Sequence, residues 1–339
     1  MRRFVFSCAL VAAAIAVAPA AYSQNYRAEY KLSTVLPSSY PWGKAGERWA
    51  QLVKEKTKGR INIKMYPGTS LVGGDQTKEF SALRQGIIDL AIGSTINWSP
   101  QVKQLNLFSL PFLMPDYKAI DALTKGDVGK QIFGILDKAG VVPLAWGENG
   151  FRELSNSKGV IAKPADMKGK KFRVVGSPIF IDTFTALGAN PTQMSFADAQ
   201  PALSTGAVDG QENPLSVFIA AKMWTLNQKF LTLWGYTADP LIFVVNKEVW
   251  ESWTPADRDA VRQAAIQAGA ENIVDARKGI AGNDTSVLKE IETHGVAVTH
   301  LTADQRKAFQ TASKPVYDKW AVQIGRNLVK AAETSIAKR

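Results

Sequence analysis

An arginine inside an apolar strand is the residue of this sequence whose chemistry is easiest to define. Arg173 lies in the segment 170–175, between Phe172 and Val174, where the pattern predicts a buried β-strand. A buried guanidinium needs a partner, because burying an unpaired charge is costly. Arg173 therefore predicts either a structural ion pair or the binding of an anion. Its rigid planar fork suits both oxygens of a carboxylate.

The motifs of covalent and metal catalysis are absent from the sequence. There is no Gly-x-Ser-x-Gly elbow, no phosphate-binding loop ending in Gly-Lys-Ser/Thr and no His-Glu-x-x-His. The chain has one Cys and two His, which excludes a Cys/His zinc site and a disulfide scaffold. The 30 acidic residues leave a pair of catalytic carboxylates open, but no spacing singles one out. The sequence thus predicts no cofactor, no metal site and no identifiable catalytic residue.

Length and composition indicate a folded protein of about two domains. The chain has 339 residues, of which 46% are apolar and 21% charged, so it can bury a core. Its 41 basic and 30 acidic residues give a net charge of +11. The basic residues are scattered and form no run of five or more, whereas nucleic-acid binding needs clustered charge. We therefore expect no nucleic-acid partner.

Residues 1–23 have the layout of a secretory signal peptide. Arg2 and Arg3 form a short basic region, and an apolar stretch over 4–17 leads to small residues that offer cleavage sites. The alternative is a membrane anchor, but the apolar stretch is shorter than the ~20 residues that a membrane span needs. The only cysteine, Cys8, would leave with the signal. The mature protein is therefore expected to be exported to the periplasm and to fold without disulfides.

Strand and helix patterns alternate in two parts of the mature chain. The segment 30–92 has the order β-α-β-α-β, which predicts a parallel sheet in an α/β domain. The same order begins again with the strand at 170–175. Ser195 is placed to cap a helix in this second unit, and Gly206 to end that helix.

Helical patterns dominate the last third of the sequence. Thr254 precedes Pro255 at a helix start, and the helical composition runs to about Thr293, with Gly269 and Gly279 as possible bends. A short strand is predicted at 296–299, and a capping box that begins at Thr302 opens further surface helices.

Four short segments follow one another along the chain: NGFR at 149–152, MKGKKFRV at 167–174, GANP at 188–191 and GAVDGQENP at 206–214. Together, and in this order, they resemble the extracytoplasmic solute receptors of TRAP transporters, the dicarboxylate-receptor family. The resemblance covers essentially the whole mature chain. It implies an α/β, two-lobed periplasmic binding protein with a ligand cleft between the lobes and a long helix bridging both. Lobe I would comprise 24–149 and 239–278, and lobe II 150–238 and 279–339 with the C-terminal helices.

The resemblance also implies which residues bind the ligand. Arg173 has the position of the family's carboxylate-binding arginine, and Arg152 that of a second arginine which contacts the same carboxylate. Asn213 precedes Pro214 and matches an amide that bonds the ligand, while Phe196 matches a pocket aromatic residue. The expected partners are a small organic acid and the subunits of a TRAP membrane permease.

Further residues are expected at the cleft because of their positions near strand ends. Ser94 and Asn97 follow the predicted buried strand at 87–92, and loops after strand ends face a cleft in folds of this type. Trp234 and Tyr236 are candidate aromatic walls.

The side chains expected at the cleft favour a small organic acid with an apolar part. Ser94 stands where the family often has an acid that polar ligands such as sialic acids use, and Val35 stands where sialic-acid receptors carry an amide. Phe151 is a further candidate wall residue, and Asp239 a candidate hydrogen-bond acceptor. We therefore expect a 2-oxo or 2-hydroxy acid or a short dicarboxylate, rather than a sialic or uronic acid.

Two other functions stay open on the sequence alone. One is a periplasmic enzyme that acts on a carboxylated substrate, which would need a general acid or base in the cleft. The other is a module that senses a ligand for a membrane sensor kinase. No feature of the sequence demands a dimer, so a monomer is expected.

Overall fold

The computed structural model describes residues 26–339, so the predicted signal peptide at 1–23 lies outside the described residues. The described strands are β1 (Tyr30–Ser33), β2 (Ile63–Tyr66), β3 (Leu90–Ser94), β4 (Val141–Asn156), β5 (Lys171–Val174), β6 (Asn190–Gln193), β7 (Gly210–Pro214), β8 (Phe230–Leu233), β9 (Ala238–Asn246) and β10 (Ala297–His300). The described helices are α1 (Pro41–Lys56), α2 (Glu79–Arg84), α3 (Thr95–Trp98), α4 (Tyr117–Lys125), α5 (Asp127–Lys138), α6 (Pro178–Ala186), α7 (Phe196–Thr205), α8 (Leu215–Ala220), α9 (Lys247–Ser252), α10 (Pro255–Arg277), α11 (Ser286–Thr293), α12 (Ala303–Ile324) and α13 (Arg326–Ala337).

The strands are hydrogen-bonded in the order β2-β1-β3-β9-β4-β7-β5-β6. Outside this order, β8 pairs with β4, and β10 pairs with β8. Within each α/β unit the pairs are parallel, as predicted: β1 with β2 and β3, and β5 with β6 and β7. Strands β9 and β4 are antiparallel to their neighbours. The sheet is therefore mixed rather than purely parallel, because β4 and β9 carry the chain between the two units in opposite directions.

Strand β4 changes its pairing partners halfway along its length. Residues 141–151 pair with β9, whereas 152–156 lie between β7 and β8. A register irregularity lies between Glu148 and Gly150, and Gly150 has φ +124, a conformation that favours glycine. The irregularity thus lies just before the change of partner, which comes between Phe151 and Arg152. The predicted lobe boundary between 149 and 150 lies within the irregular stretch, and the division into lobes stays a prediction.

The long helix α10 begins as predicted and ends earlier than predicted. Thr254 caps it, with its hydroxyl accepting the N–H of Asp257 at 3.2 Å. The helix ends at Arg277 instead of near Thr293, because Lys278 is extended and Gly279 takes a left-handed φ of +73. Helix α10 packs on α1 and β4, and the chain then enters α11 and β10, which contact α8 and β8. The chain therefore passes from the first unit to the second after α10, and the bridging role of this helix stays a prediction.

Buried apolar side chains from both units pack together in two clusters. One contains Trp98 together with Phe172 and Trp234, and it also takes up one face of α12 and of α13. The other contains Trp49 and Phe218 beneath α1 and α10. Among residues 26–339, no helix is both long and apolar enough to cross a membrane.

Candidate ligand-binding site

A small cavity lies where strand ends and loops of the two α/β units meet. Its apolar wall is formed by Val35, Leu36, Trp42, Ile96, Val175, Phe196 and Val217. Its polar wall is formed by Gln76, Ser94, Asn97, Asn149, Arg152, Arg173, Asn213 and Asp239. The cavity volume is about 20 Å³, about the room that one water molecule needs and far below the ~300–1,000 Å³ of pockets that take drug-sized ligands. The side chains of the wall therefore nearly fill the cavity, and a bound organic acid would need them to move apart.

Strand register brings the two predicted arginines to the same edge of the sheet. Arg173 near the end of β5 is opposite Gln211 of the parallel strand β7. Pro214 at the end of β7 is in turn opposite Arg152 of the antiparallel strand β4. Ligands of open α/β sheets bind at the carboxyl ends of the strands, and β5 and β7 both end at this cavity.

Arg152 is held in a buried ion pair. Its Nε and Nη2 atoms donate to the two carboxylate oxygens of Glu212, and Nη2 also donates to Asn213 Oδ1 at 3.1 Å. Nη1 lies 3.6 Å from Asp239 Oδ2. Burial alone would lower the pKa of Arg152. The charge and hydrogen bonds of Glu212, together with the charge of Asp239, raise it instead. The guanidinium is thus fixed by protein carboxylates.

Arg173 is equally buried but has no ion-pair partner among residues 26–339. Its side chain is 1% exposed, its Nε donates to the Met194 carbonyl at 3.0 Å, and its Nη2 is buried without a hydrogen-bond partner. Burial lowers the pKa of Arg173 to about 10, against the opposing charge of Glu212, so it stays cationic at neutral pH. Arg173 thus presents an uncompensated positive charge at the cavity.

A buried carboxylate lies on the other part of the polar wall. Asp239 begins β9 close to the end of β3, where Ser94 Oγ donates to its Oδ1 at 2.6 Å. Asn149 Nδ2 donates to Asp239 Oδ2 at 2.9 Å. Ser94 also caps α3, since its Oγ accepts the N–H of Ile96 at 3.1 Å. Burial raises the pKa of Asp239, and the charge of Arg152 opposes this rise.

Amide side chains complete the polar wall. Gln76 Nε2 donates to Asn97 Oδ1 at 2.7 Å, and Gln76 Oε1 accepts the N–H of Phe196 at 3.1 Å. Asn213 Nδ2 donates to Gln211 Oε1. The sequence predicted Asn97, Phe196 and Asn213 at the cavity, but it gave no sign of Gln76, which follows a glycine-rich turn without any distinctive spacing.

The structure brings together six of the eight predicted site residues: Arg173, Arg152, Asn213, Phe196, Ser94 and Asn97. It corrects the prediction for Trp234 and Tyr236, which do not line the cavity. Trp234 is fully buried in the core, and its Nε1 donates to the Arg152 carbonyl at 3.1 Å. The Tyr236 hydroxyl donates to Glu212 at 3.2 Å, so it supports the ion pair from behind. Phe151 packs on Tyr117 and is also absent from the wall.

Comparison with known proteins identifies the class of protein that carries this cavity. Residues 32–323 match the family model described as bacterial extracellular solute-binding protein, family 7. The C4-dicarboxylate-binding periplasmic protein DctP of Rhodobacter capsulatus is 32% identical over 311 residues, with 91% of each chain covered. The chain therefore belongs to the bacterial extracellular solute-binding proteins of family 7.

Two solved structures of this class are similar to the chain over nearly its whole length. A TRAP periplasmic solute-binding protein from Ralstonia eutropha H16, with bound (S)-2-acetolactate, is 69% identical and has a TM-score of 0.92, covering 93% of this chain and 100% of that one. The sugar-acid-binding protein DctPAm from Advenella mimigardefordensis, in complex with galactonate, is 28% identical with a TM-score of 0.85, covering 91% and 98%. The protein is a periplasmic TRAP solute-binding receptor and not an enzyme.

Proposed function

We propose that this receptor captures a small 2-hydroxy or 2-oxo monocarboxylic acid through Arg173 and delivers it to a TRAP-type membrane permease. The observation that carries the proposal is the unpaired guanidinium at the cavity. Arg173 Nη2 is buried without a partner, whereas Arg152 has carboxylates on two sides. A carboxylate ligand would supply the missing counter-charge and two parallel hydrogen bonds.

The apolar wall of the cavity supports a short acid with an apolar part. Trp42 uses its Nε1 to donate to the Ile92 carbonyl at 2.8 Å, so its ring contributes apolar surface. A sugar acid carries many hydroxyl groups, and each polar group left unpaired on burial costs ~1–3 kcal/mol. The Ralstonia protein, at 69% identity, holds (S)-2-acetolactate, a 2-hydroxy acid whose second carbon also carries a methyl and an acetyl group. We propose acetolactate or an acid of closely similar shape as the ligand.

Closure of two lobes around the ligand is part of this proposal. The lobes would be 24–149 with 239–278, and 150–238 with 279–339. Support comes from β4, which changes partners between Phe151 and Arg152, and from a cavity wall drawn from both units. Hinge closure around a ligand is an established motion of periplasmic binding proteins, and a permease could recognise the closed form.

Ligand capture can be tested by thermal denaturation and calorimetry with a panel of acids. We expect (S)-2-acetolactate to give a larger melting shift than succinate or D-glucuronate, since a ligand at a hundredfold excess over its Kd stabilises the folded state by about 2.7 kcal/mol. Arg173→Ala should weaken binding roughly 30- to 4,000-fold, because losing one partner of a buried charge pair costs ~2–5 kcal/mol.

The matched control is Lys171→Ala, which removes one positive charge from the exposed end of the same strand. It should bind acetolactate like the wild type. If Arg173→Ala keeps wild-type affinity, the carboxylate is held elsewhere. If glucuronate gives the largest shift and short acids give none, the ligand class is wrong. Delivery is tested by uptake of labelled acid into vesicles that contain a TRAP permease of the same bacterium, which should require this receptor.

A further inference from the structure

The charged side chains at the cavity differ in whether they have a partner. Arg173 has no ion-pair partner among the described residues. Arg152 instead faces two carboxylates, Glu212 and Asp239. Glu212 and Arg152 also act electrostatically on Arg173. The two arginines and two carboxylates sum to a net charge of zero, so one ligand carboxylate would leave the site with a net charge of −1.

Asp239 is fixed in place and retains capacity to accept hydrogen bonds. Ser94 donates to one of its oxygens at 2.6 Å and Asn149 to the other at 2.9 Å. Arg152 Nη1 also lies 3.6 Å from Oδ2, and each carboxylate oxygen has two lone pairs, so at least one acceptor site stays unused. Asp239 is 2% exposed and lines the cavity, so a ligand in the cavity can supply the further donor.

We infer that Asp239 is a specificity-determining residue that selects hydroxylated monocarboxylic acids and rejects dicarboxylic acids. The inference rests on the proposed function, in which Arg173 holds the ligand carboxylate. A ligand hydroxyl would donate to Asp239, which can accept a hydrogen bond but cannot attract an anion. A second ligand carboxylate would find no further unpaired guanidinium among the described residues and would bring the net charge of the site to −2. The inference narrows the proposed ligands to the 2-hydroxy acids and excludes the short dicarboxylates that the sequence left open.

The same argument ranks ligands of nearly identical shape. Citramalate is acetolactate with the acetyl group replaced by a carboxymethyl group, so it differs mainly by one negative charge. The acid 2-methyl-3-oxobutanoate is acetolactate without its hydroxyl group. The wild type should bind each of these at least about 10-fold more weakly than acetolactate, the first because like charges repel in a desolvated site and the second because Asp239 loses a charge-assisted hydrogen bond.

Calorimetric titration of the full-length mature protein with these three acids tests the inference. In Asp239→Asn the ratio of the citramalate Kd to the acetolactate Kd should fall at least about 10-fold, because the negative charge is gone while an amide can still bond Ser94 and Asn149. The matched control is Asp259→Asn, which makes the same change of charge at an exposed position of α10. It should leave the ratio as in the wild type.

The outcomes separate this inference from the proposed function. If the wild type binds acetolactate through Arg173 but binds citramalate equally well, or if Asp239→Asn keeps the wild-type ratio, the inference is wrong and the proposed function stands. If the wild type binds none of the three acids, both are wrong. If Asp239→Asn does not fold, the three wild-type affinities decide the question alone.

Discussion

Arg152 and Arg173 lie at the same cavity, but only Arg152 has an ion-pair partner. Arg152 is bonded to Glu212 from the neighbouring strand, whereas the Nη2 of Arg173 is buried without any partner. The first arginine therefore stabilises the folded chain, and the second is stabilised only when an anion arrives. Breaking the ion pair of Arg152 should therefore destabilise the unliganded protein, whereas removing Arg173 should stabilise it.

Replacing Arg173 by Met should stabilise the unliganded protein and abolish ligand binding. Methionine fills much of the same volume without a charge, and the cost of burying an unpaired ion disappears. We expect the free energy of unfolding to rise by about 1 kcal/mol or more, and acetolactate to give no melting shift. Urea denaturation with and without the acid measures both. A loss of stability in the unliganded variant would mean that Arg173 has a structural partner.

Replacing Glu212 by Gln should destabilise the protein strongly. The substitution leaves Arg152 buried without its bidentate partner, which costs ~3–5 kcal/mol. The double variant Arg152→Met, Glu212→Leu should recover part of this loss, because well-packed apolar residues replace buried ion pairs at little cost. Chemical denaturation of the three proteins gives the comparison. If the single and double variants are equally unstable, packing around Tyr236 rather than the ion pair dominates.

Replacing Gly150 by Ala should cost ~1–3 kcal/mol of stability, because φ +124 is strained for any residue with a Cβ. The added Cβ would also lie 3.3 Å from Pro214 Cβ. The matched control is Gly134→Ala, at an exposed position of α5 with open space around the Cβ site. That change should instead stabilise the protein by ~0.5–1 kcal/mol. Equal melting temperatures for the two variants would contradict the strain assigned to Gly150.

Replacing Glu79 by Gln should change how stability depends on pH. Burial raises the pKa of Glu79 to about 7, although Ser33 and Trp98 donate to its carboxylate at 2.6 and 3.0 Å. The folded state therefore holds a proton that the unfolded chain releases near pH 4.5, so this contribution to stability is present at pH 4.5 and is lost as pH rises through 7. Its full size is about 3 kcal/mol.

The Gln variant should match the wild type near pH 5 and exceed it in free energy of unfolding near pH 8, by up to about 3 kcal/mol. Glutamine can donate to Ser33 and accept from Trp98, so it reproduces the bonds of the protonated acid. Denaturant titrations at the two pH values measure the difference. Glu251→Gln, at an exposed site, should show no such change between them. A constant difference for Glu79→Gln across this range would mean that Glu79 is already ionised at pH 5.

Local patterns in the sequence predicted the elements that local physics determines. The apolar neighbours of Arg173 placed it on a buried strand, and Ser195 caps α7 with its hydroxyl accepting the N–H of Asp198. The C-terminal end of α10 was predicted too late. Gly279, a possible bend in the sequence, and Gly282 both take a positive φ, and residues 278–285 separate α10 from α11.

Relationships between distant strands could not be predicted from one sequence. Glu212 reaches Arg152 only because β4 and β7 pair in a particular register across 60 residues of chain. The dense aromatic group near Trp234 could equally line a cleft or fill a core, and the structure places it against Phe184 and Phe309. Gln76 reaches Asn97 through the path of an irregular loop, which leaves no periodic signal.

The pairing of β4 has a consequence for how the protein loses its structure. This one strand supplies a central row of hydrogen bonds to β9 in its first part and to β7 and β8 in its second. Neither part of the sheet can melt without removing a strand from the other, and both apolar clusters draw on both units. The two α/β units should therefore unfold in a single cooperative transition, with one calorimetric peak, even though the proposed closure around a ligand would move them as separate bodies.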